Sequence, residues 1–353
     1  MTFATSAEKL CGKFQIDNKK KLARNTNREL LPIGFPFYER NDRHKRLRWN
    51  LLKRPFHVKQ RGNGVVLNRQ MQTRRIDELQ EFCERAKGES CDGGTCRRMK
   101  IIVTGGAGRV GQLTISELLD HGHEVQSIDK LPVLESVCPS SVIDLLHAEE
   151  LAQAFEQADG VIHLARKRFP YTSHGFDPAS RTWKTPDGLG DAAIFSYNVT
   201  ISYNVLAAAF AAGVRKLVMG SSLTIYDFYY PSQWSAPDYL PVDEDYPLRP
   251  QDPYSVSKLV VEHACDAFAR KSDMQIASLR FAGICADFTH QSLRARRKDP
   301  LRWSGPLWTY IDVRDAALAC RLALEADFAG HETFNICASN TIMQMSTAEL
   351  VAQ

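Results

Sequence analysis

The chain has 353 residues, 44% hydrophobic and 24% charged, with a formal net charge of +4. That composition supplies a sizeable core and excludes wholesale disorder. No unbroken run of about 18 apolar residues occurs, so no membrane span is expected, and the opening MTFATSAEKL lacks the apolar core of a secretory signal.

The charge is unevenly spread. Residues 1–98 hold 23 Lys and Arg against 11 Asp and Glu, whereas the remainder holds 22 against 30, so the two parts are electrostatically different objects. Basic runs such as Lys19-Lys20-Lys21 and Arg43-His44-Lys45-Arg46 mark the first part. Only Arg74–Ala86 carries helical apolar spacing there, at Ile76, Leu79 and Phe82. Cys83, Cys91 and Cys96 cluster without zinc-site spacing or a following His pair, so no metal is expected. The nine scattered cysteines as a whole read as reduced thiols of a cytoplasmic protein. Residues 1–98 are therefore expected to be a basic, poorly structured extension, or a translated upstream region foreign to the native protein. The functional alternative, an arm for nucleic acid, lacks any accompanying nucleic-acid motif.

Met99 opens MKIIVTGG and reads as the start of a domain spanning 99–353. From there strands are expected at Lys100–Val103, Val125–Ile128, Gly160–Leu164, Lys216–Gly220, Gln275–Leu279 and Thr333–Ile336. Helices are expected at Arg109–Gly122, Ala148–Gln157, Ser196–Ala212, Tyr254–Lys271 and Val313–Glu325. Short β-branched runs alternating with amphipathic helices mean βαβ units, so the fold class is α/β, a Rossmann-type doubly wound parallel sheet. On the helix Ser196–Ala212 the stripe Leu206, Ala209 and Phe210 reads as core or dimer interface.

Thr104–Gly111, TGGAGRVG, lies between the first strand and the first helix, the context that a dinucleotide loop needs. Gly105 permits the tight turn, Gly108 lets the backbone approach a pyrophosphate, and Gly111 allows the helix to pack closely on the strand. The helix N-terminus, opened by Arg109, Val110 and Gly111, offers N–H groups and a positive dipole end to phosphates. Asp129 ends the next strand. A carboxylate there binds ribose hydroxyls and repels a 2′-phosphate, which favours NAD over NADP.

Tyr254 and Lys258 stand at i and i+4, on one face of a helix. A neighbouring ammonium favours the phenolate and lets Tyr act as an acid or base nearer neutral pH. Upstream, Gly220-Ser221-Ser222 ends an apolar strand, where a hydroxyl can orient a substrate oxygen. His163, inside a buried strand, reads as a packed core histidine rather than a base, and Ser221 as a strand-end structural hydroxyl.

With these motifs the stretch from Met99 onward resembles the extended short-chain dehydrogenase/reductase superfamily, in its NAD-dependent epimerase/dehydratase branch. Asp144-Leu145 resembles the pair that touches adenine. Asp159–Ala165, including Leu164 and Ala165, resembles the strand beside the cofactor. Asn198-Val199, Ser221-Ser222-x-x-x-Tyr226, Pro250-Gln251-Asp252-Pro253, Tyr310–Asp315 and Phe334-Asn335-Ile336 follow in the family's order. The resemblance implies Ser222, Tyr254 and Lys258 as the catalytic set. It also implies a homodimer through the helices near 196–212 and 254–271, and a small discontinuous substrate lobe from about 282–310 and the C-terminus. Family members usually continue past the point where this chain ends, which would leave part of that lobe outside it.

The pattern also departs from the family. Dehydratases carry Asp-Glu directly after the catalytic hydroxyl, where this chain has Leu223-Thr224. Sugar-nucleotide epimerases commonly follow the sixth strand's Arg with Asn-Pro, where Arg280 is followed by Phe281-Ala282-Gly283. Only 27 positions then separate Gly283 from Tyr310, short for a nucleotide grip and more like members that oxidise free sugars, such as uronate dehydrogenases. The stretch 166–195 is long and carries Arg166, Lys167, Arg168, His174 and Arg181 beside Tyr171 and Trp183. It reads equally as a pocket for a carboxylated or polyhydroxylated substrate and as a solvated loop. The expectation is an NAD-dependent oxidoreductase acting on a hydroxyl/keto or lactol carbon of a sugar-like small molecule, with neither membrane nor nucleic acid as a partner. An NAD-dependent epimerase using the same residues, and an NAD-binding sensor or scaffold without turnover, are the alternatives.

Overall fold

The computed structural model describes residues 98–133, 138–167, 176–177, 182–183, 190–226, 237–297 and 306–351. The basic runs, the Arg74–Ala86 segment and the Cys83–Cys96 cluster lie outside them, as do Arg168, Tyr171, His174 and Arg181.

Seven parallel strands form one sheet. In chain order they are β1 (Lys100–Thr104), β2 (Glu124–Asp129), β3 (Ser140–Val142), β4 (Gly160–His163) and, beyond the short antiparallel pair β5 (Phe176–Asp177) and β6 (Thr182–Trp183), β7 (Lys216–Ser222) and β8 (Gln275–Phe281). The short parallel pair β9 (Ile284–Cys285) and β10 (Ile311–Asp312) precedes the last sheet strand, β11 (His331–Ile336). The spatial order is β11-β8-β7-β4-β1-β2-β3, with β1 in the interior and the order reversing between β1 and β4. That reversal is a topological switch point, where α/β sheets bind ligands beyond the carboxyl ends of the strands.

Helices cover both faces because the strands alternate. Ile101 and Val103 enter one core with Ile115 and Leu118 of α1 (Arg109–Asp120) and Ala316 and Ala319 of α6 (Val313–Glu325). Ile102 enters the other, with Leu151 of α2 (Ala148–Ala154), Val205 and Leu206 of α3 (Gly190–Ala211) and Val261 of α4 (Pro253–Lys271). All four residues from Ile101 to Thr104 are buried, as a parallel strand sandwiched between helix layers requires. By length and mean hydropathy (1.2), Ala192–Ala211 of α3 would suffice to cross a membrane. Here Ile194, Ile201, Val205, Leu206 and Ala209 of that helix are fully buried, which suits a helix packed on a sheet.

A smaller third core joins Cys285, Leu293 of α5 (Gln291–Arg296), Trp308, Ile342, Met343 and Leu350 of α7 (Thr347–Val351). It unites the segment after β8 with the end of the described chain. Asp312 ties it to α6: its carboxylate accepts from His290 Nε2 (2.7 Å) and from Arg314 Nε and Nη2 (2.8 and 2.9 Å).

All six expected sheet strands are present, with shifts of a residue or two at their ends. Several features differ from expectation. The edge strand β3, the short pairs β5–β6 and β9–β10 and the helices α5 and α7 were not anticipated, α3 starts at Gly190 rather than Ser196, and α1 and α2 end at Asp120 and Ala154 rather than Gly122 and Gln157.

Candidate active site

The glycine loop sits at the carboxyl end of β1. Gly105 has φ +82°, and a Cβ there would lie 2.5 Å from the backbone nitrogen of Ala165. The turn therefore needs glycine both for its conformation and for the close approach of the strand β4 exit. A Cβ at Gly111 would collide with the Gly105 carbonyl oxygen, and one at Gly106, which the sequence reading passed over, would collide with the Ser127 hydroxyl of β2. Gly108 caps α1 with no side-chain hydrogen bond, and no acidic residue occupies the first turn. The first-turn N–H groups of Arg109, Val110 and Gly111 thus have no carboxylate or hydroxyl cap. Positive helix ends in that state suit a pyrophosphate, so these residues fit the dinucleotide that the motif implies.

Asp129 ends β2. Its carboxylate accepts from Ala107 N (3.1 Å) and Leu131 N (3.3 Å), so it also braces the loop. Beyond it, Lys130 Nζ pairs with Asp144 (2.9 Å) and stands 4.8 Å above the Tyr197 ring. Burial works against the Asp144 carboxylate, but the Leu146 N–H and Lys130 outweigh it and hold it below the usual range. Leu145 is buried, its carbonyl accepting from Asn204 Nδ2 (2.9 Å). Leu164 N donates to Thr104 O (2.9 Å), prolonging the β1–β4 pairing past the strand end. Asn198, itself buried, grips the backbone of Lys167 from both sides, accepting from its N–H (2.8 Å) and donating to its carbonyl (3.1 Å). It thereby fixes the chain as it leaves β4.

His163 is a core residue, as expected. Its ring bonds Thr104 Oγ1 (2.7 Å) and Ser202 Oγ (3.1 Å), and burial, helped by the Lys258 charge, pushes its pKa down to about 3. It stays neutral at any physiological pH.

The catalytic candidates converge from two elements. Asp252 caps α4, accepting from Ser255 N (3.0 Å) and from the Ser255 hydroxyl, and Pro253 follows at the first helical position. That start sets Tyr254 in the first turn and Lys258 in the next, both buried. Lys258 Nζ donates to the Gly220 carbonyl of β7 (2.7 Å) and lies 5.7 Å from the Tyr254 ring centroid. Ser222, the last residue of β7, caps the short turn Leu223–Ile225. Its Oγ accepts from Thr224 N (3.3 Å) and Oγ1 (3.0 Å), and its hydroxyl helps to lower the Tyr254 pKa. Burial opposes a charged phenol, yet the charges of Arg166 and Lys258, with the Arg166 and Ser222 polar groups beside the oxygen, prevail and hold the Tyr254 pKa below its ordinary value. Burial, reinforced by Arg166, likewise lowers that of Lys258.

Two features escaped the sequence reading. Arg166, considered only as part of a substrate loop, donates from Nη1 to the Tyr254 oxygen (3.4 Å). Its position just past the strand that abuts the glycine loop was the available signal. Behind the site, Glu262 accepts from Ser221 Oγ (2.6 Å) and from Arg280 Nε and Nη2 (3.0 and 2.8 Å). Arg280 Nη1 in turn donates to Tyr226 (2.9 Å). Ser221 is thus the structural hydroxyl it was read as. Among the described residues, no group of three or more His, Cys, Asp or Glu is arranged to hold a metal.

The chain is similar to the UDP-glucose 4-epimerase of Corynebacterium glutamicum, with 28% identity over 271 residues covering 67% of this chain and 75% of that protein. It is also similar to the L-arabinose 1-dehydrogenase (NAD(P)(+)) of Haloferax volcanii, with 26% identity over 258 residues covering 71% and 92%. Among solved structures it resembles a short-chain dehydrogenase/reductase superfamily protein from Agrobacterium tumefaciens with bound NAD. The TM-score there is 0.53 at 26% identity, over 72% of this chain and 81% of that one. Residues 101–337, from β1 to just past β11, match the NAD dependent epimerase/dehydratase family throughout. The chain belongs to that family, and with it to the NAD-dependent enzymes of the extended short-chain dehydrogenase/reductase type.

Proposed function

We propose that the chain catalyses reversible hydride transfer at a hydroxyl/keto or lactol carbon of a sugar-like small molecule. The convergence of Ser222, Tyr254 and Lys258 at the carboxyl end of β7 carries this reading. In oxidation, Tyr254 accepts the proton of the substrate hydroxyl. The substrate O–H bond breaks, a Tyr O–H bond forms, and the electron pair left on oxygen becomes the second C–O bond as hydride leaves the carbon. Bound NAD supplies the acceptor for that hydride, and its reduced form the donor for the return. Ser222 orients the substrate oxygen. Lys258 favours the phenolate and holds the nicotinamide ribose.

On this reading the first-turn N–H groups of Arg109, Val110 and Gly111, with Gly105 and Gly108, hold the pyrophosphate. Asp129 takes the ribose hydroxyls and selects NAD over NADP. Asp144 and Leu145 border the adenine. Leu164, Ala165 and Asn198 shape the strand exit beside the nicotinamide. The small core around Trp308 and Ile342 belongs to a substrate lobe built from about 282–310 and the C-terminal segment. Tyr203 and Phe210, exposed on α3, and Val260 on α4 supply an apolar face for a homodimer, which light scattering at micromolar concentration tests.

Similarity to UDP-glucose 4-epimerases supports a second reading. There the same residues oxidise a sugar carbon and the hydride returns to its other face. Incubation with NAD and free sugars, uronic acids or sugar nucleotides separates the two. Net NADH with one class supports the dehydrogenase; NAD retained through desalting, with product and no net NADH, supports the epimerase. Full turnover by Tyr254→Phe contradicts both.

A further inference from the structure

Tyr254 is flanked by two cations from different elements. Lys258, on its own helix, donates to the Gly220 carbonyl and not to the phenolic oxygen. Arg166, leaving β4, is the one that hydrogen-bonds the phenolic oxygen, at 3.4 Å, with its guanidinium carbon 5.6 Å from the ring centroid. The phenol is only 4% exposed, so water does little to stabilise a charge on it, and a fixed cation at this range matters more than it would at a surface. A guanidinium also keeps its charge at every pH at which a protein folds.

The other groups around the pair are already committed. His163 is neutral and held between Thr104 and Ser202. Asp252 is engaged by Ser255, and Glu262 by Arg280 and Ser221. Ser222, from β7, is uncharged, and its Oγ accepts from Thr224.

We infer that Arg166 is a positioning residue for the proton transfer: it orients the Tyr254 hydroxyl and places a permanent cation beside the oxygen that must accept the proton. Arg166 thus does for the oxygen what Lys258, turned to a carbonyl, does only through space. The inference rests on the role proposed above for Tyr254, but its test does not require turnover.

The experiment is an ultraviolet phenolate titration of the full chain, with and without NAD, each protein measured against its own Tyr254→Phe counterpart so that only Tyr254 is read. Arg166→Gln is expected to move the Tyr254 titration upward by roughly one pH unit or more. Arg166→Lys restores part of that shift, because it returns the charge without the planar fork. Where a substrate has been found, the acidic limb of kcat moves the same way, with KM changed less. A Tyr254 titration unmoved by Arg166→Gln overturns the inference, as does an upward shift that Arg166→Lys leaves wholly unrelieved. Should the titration shift while every sugar tested fails to turn over, the coupling stands and the hydride-transfer reading falls.

Discussion

Lys258 Nζ lies 2.7 Å from the carbonyl oxygen of Gly220 and 5.7 Å from the ring centroid of Tyr254. The ammonium therefore joins α4 to β7 two residues before the strand ends, and its effect on the phenol is one of charge. Lys258→Met removes that charge and leaves a buried carbonyl without its donor. A loss in kcat of about a hundredfold or more is expected, within the range of general acid–base contributions, together with a small fall in Tm. Steady-state kinetics and thermal unfolding of the variant check both.

The pH dependence follows in sign from the lowered phenol. Oxidation needs Tyr254 deprotonated, so its rate should rise with pH through the Tyr254 pKa and flatten above it. That midpoint should lie below the ~10 of a free phenol. Reduction needs the protonated form and should fall across the same midpoint. His163, down near 3, contributes nothing to either profile between pH 5 and 9. The rate profiles in both directions, with His163→Gln as the control, test this.

Glu262 and Arg280 form a buried ion pair at 2.8 Å, with side chains 5% and 4% exposed. Glu262→Gln leaves the guanidinium buried without its counter-charge, and breaking such pairs costs about 3–5 kcal/mol. Replacing both, as Glu262→Gln with Arg280→Met, should recover much of that loss, because no lone charge then remains. Denaturant unfolding of the single and double variants measures the difference. Equal destabilisation in the two would count against the account.

Much of this was legible in the sequence because it is local. The strands β1, β4, β7 and β8 are short, apolar and β-branched, and the glycine loop and Tyr254–Lys258 are patterns of spacing. The edge strand β3 was not legible. Ser140–Val142 is three residues long with no buried side chain, so it has no hydrophobic pattern and exists only because β2 pairs with it. The start of α3 at Gly190-Asp191-Ala192 also lacks apolar spacing. The reach of Arg166 to Tyr254 spans 88 positions, and the Glu262 network joins β7, α4 and β8. Contacts of that range come from topology, and a single sequence records them only as isolated charged residues.

Gly105→Ala tests the nucleotide loop. At φ +82° an alanine is strained, and its Cβ would press on the Ala165 nitrogen. Backbone strain of about 1–3 kcal/mol is expected, with NAD affinity falling tenfold or more as the loop shifts. Calorimetric titration with NAD, beside thermal unfolding, separates the two effects.

Asp129 both braces Ala107 and, as proposed, selects the ribose. Asp129→Asn keeps an acceptor for the Ala107 N–H while removing the charge that repels a 2′-phosphate. The NAD over NADP preference, measured as a ratio of dissociation constants, should narrow by about tenfold. An unchanged ratio would place the selection elsewhere.

The most direct test of hydride transfer at Tyr254 is the appearance of NADH when the purified full chain is given NAD and a panel of free sugars, uronic acids and sugar nucleotides, beside its Tyr254→Phe variant. The account predicts net NADH with one class of sugar and a loss of about a thousandfold in the variant. Undiminished NADH formation by Tyr254→Phe, or no conversion of any sugar by a protein that binds NAD, would contradict it.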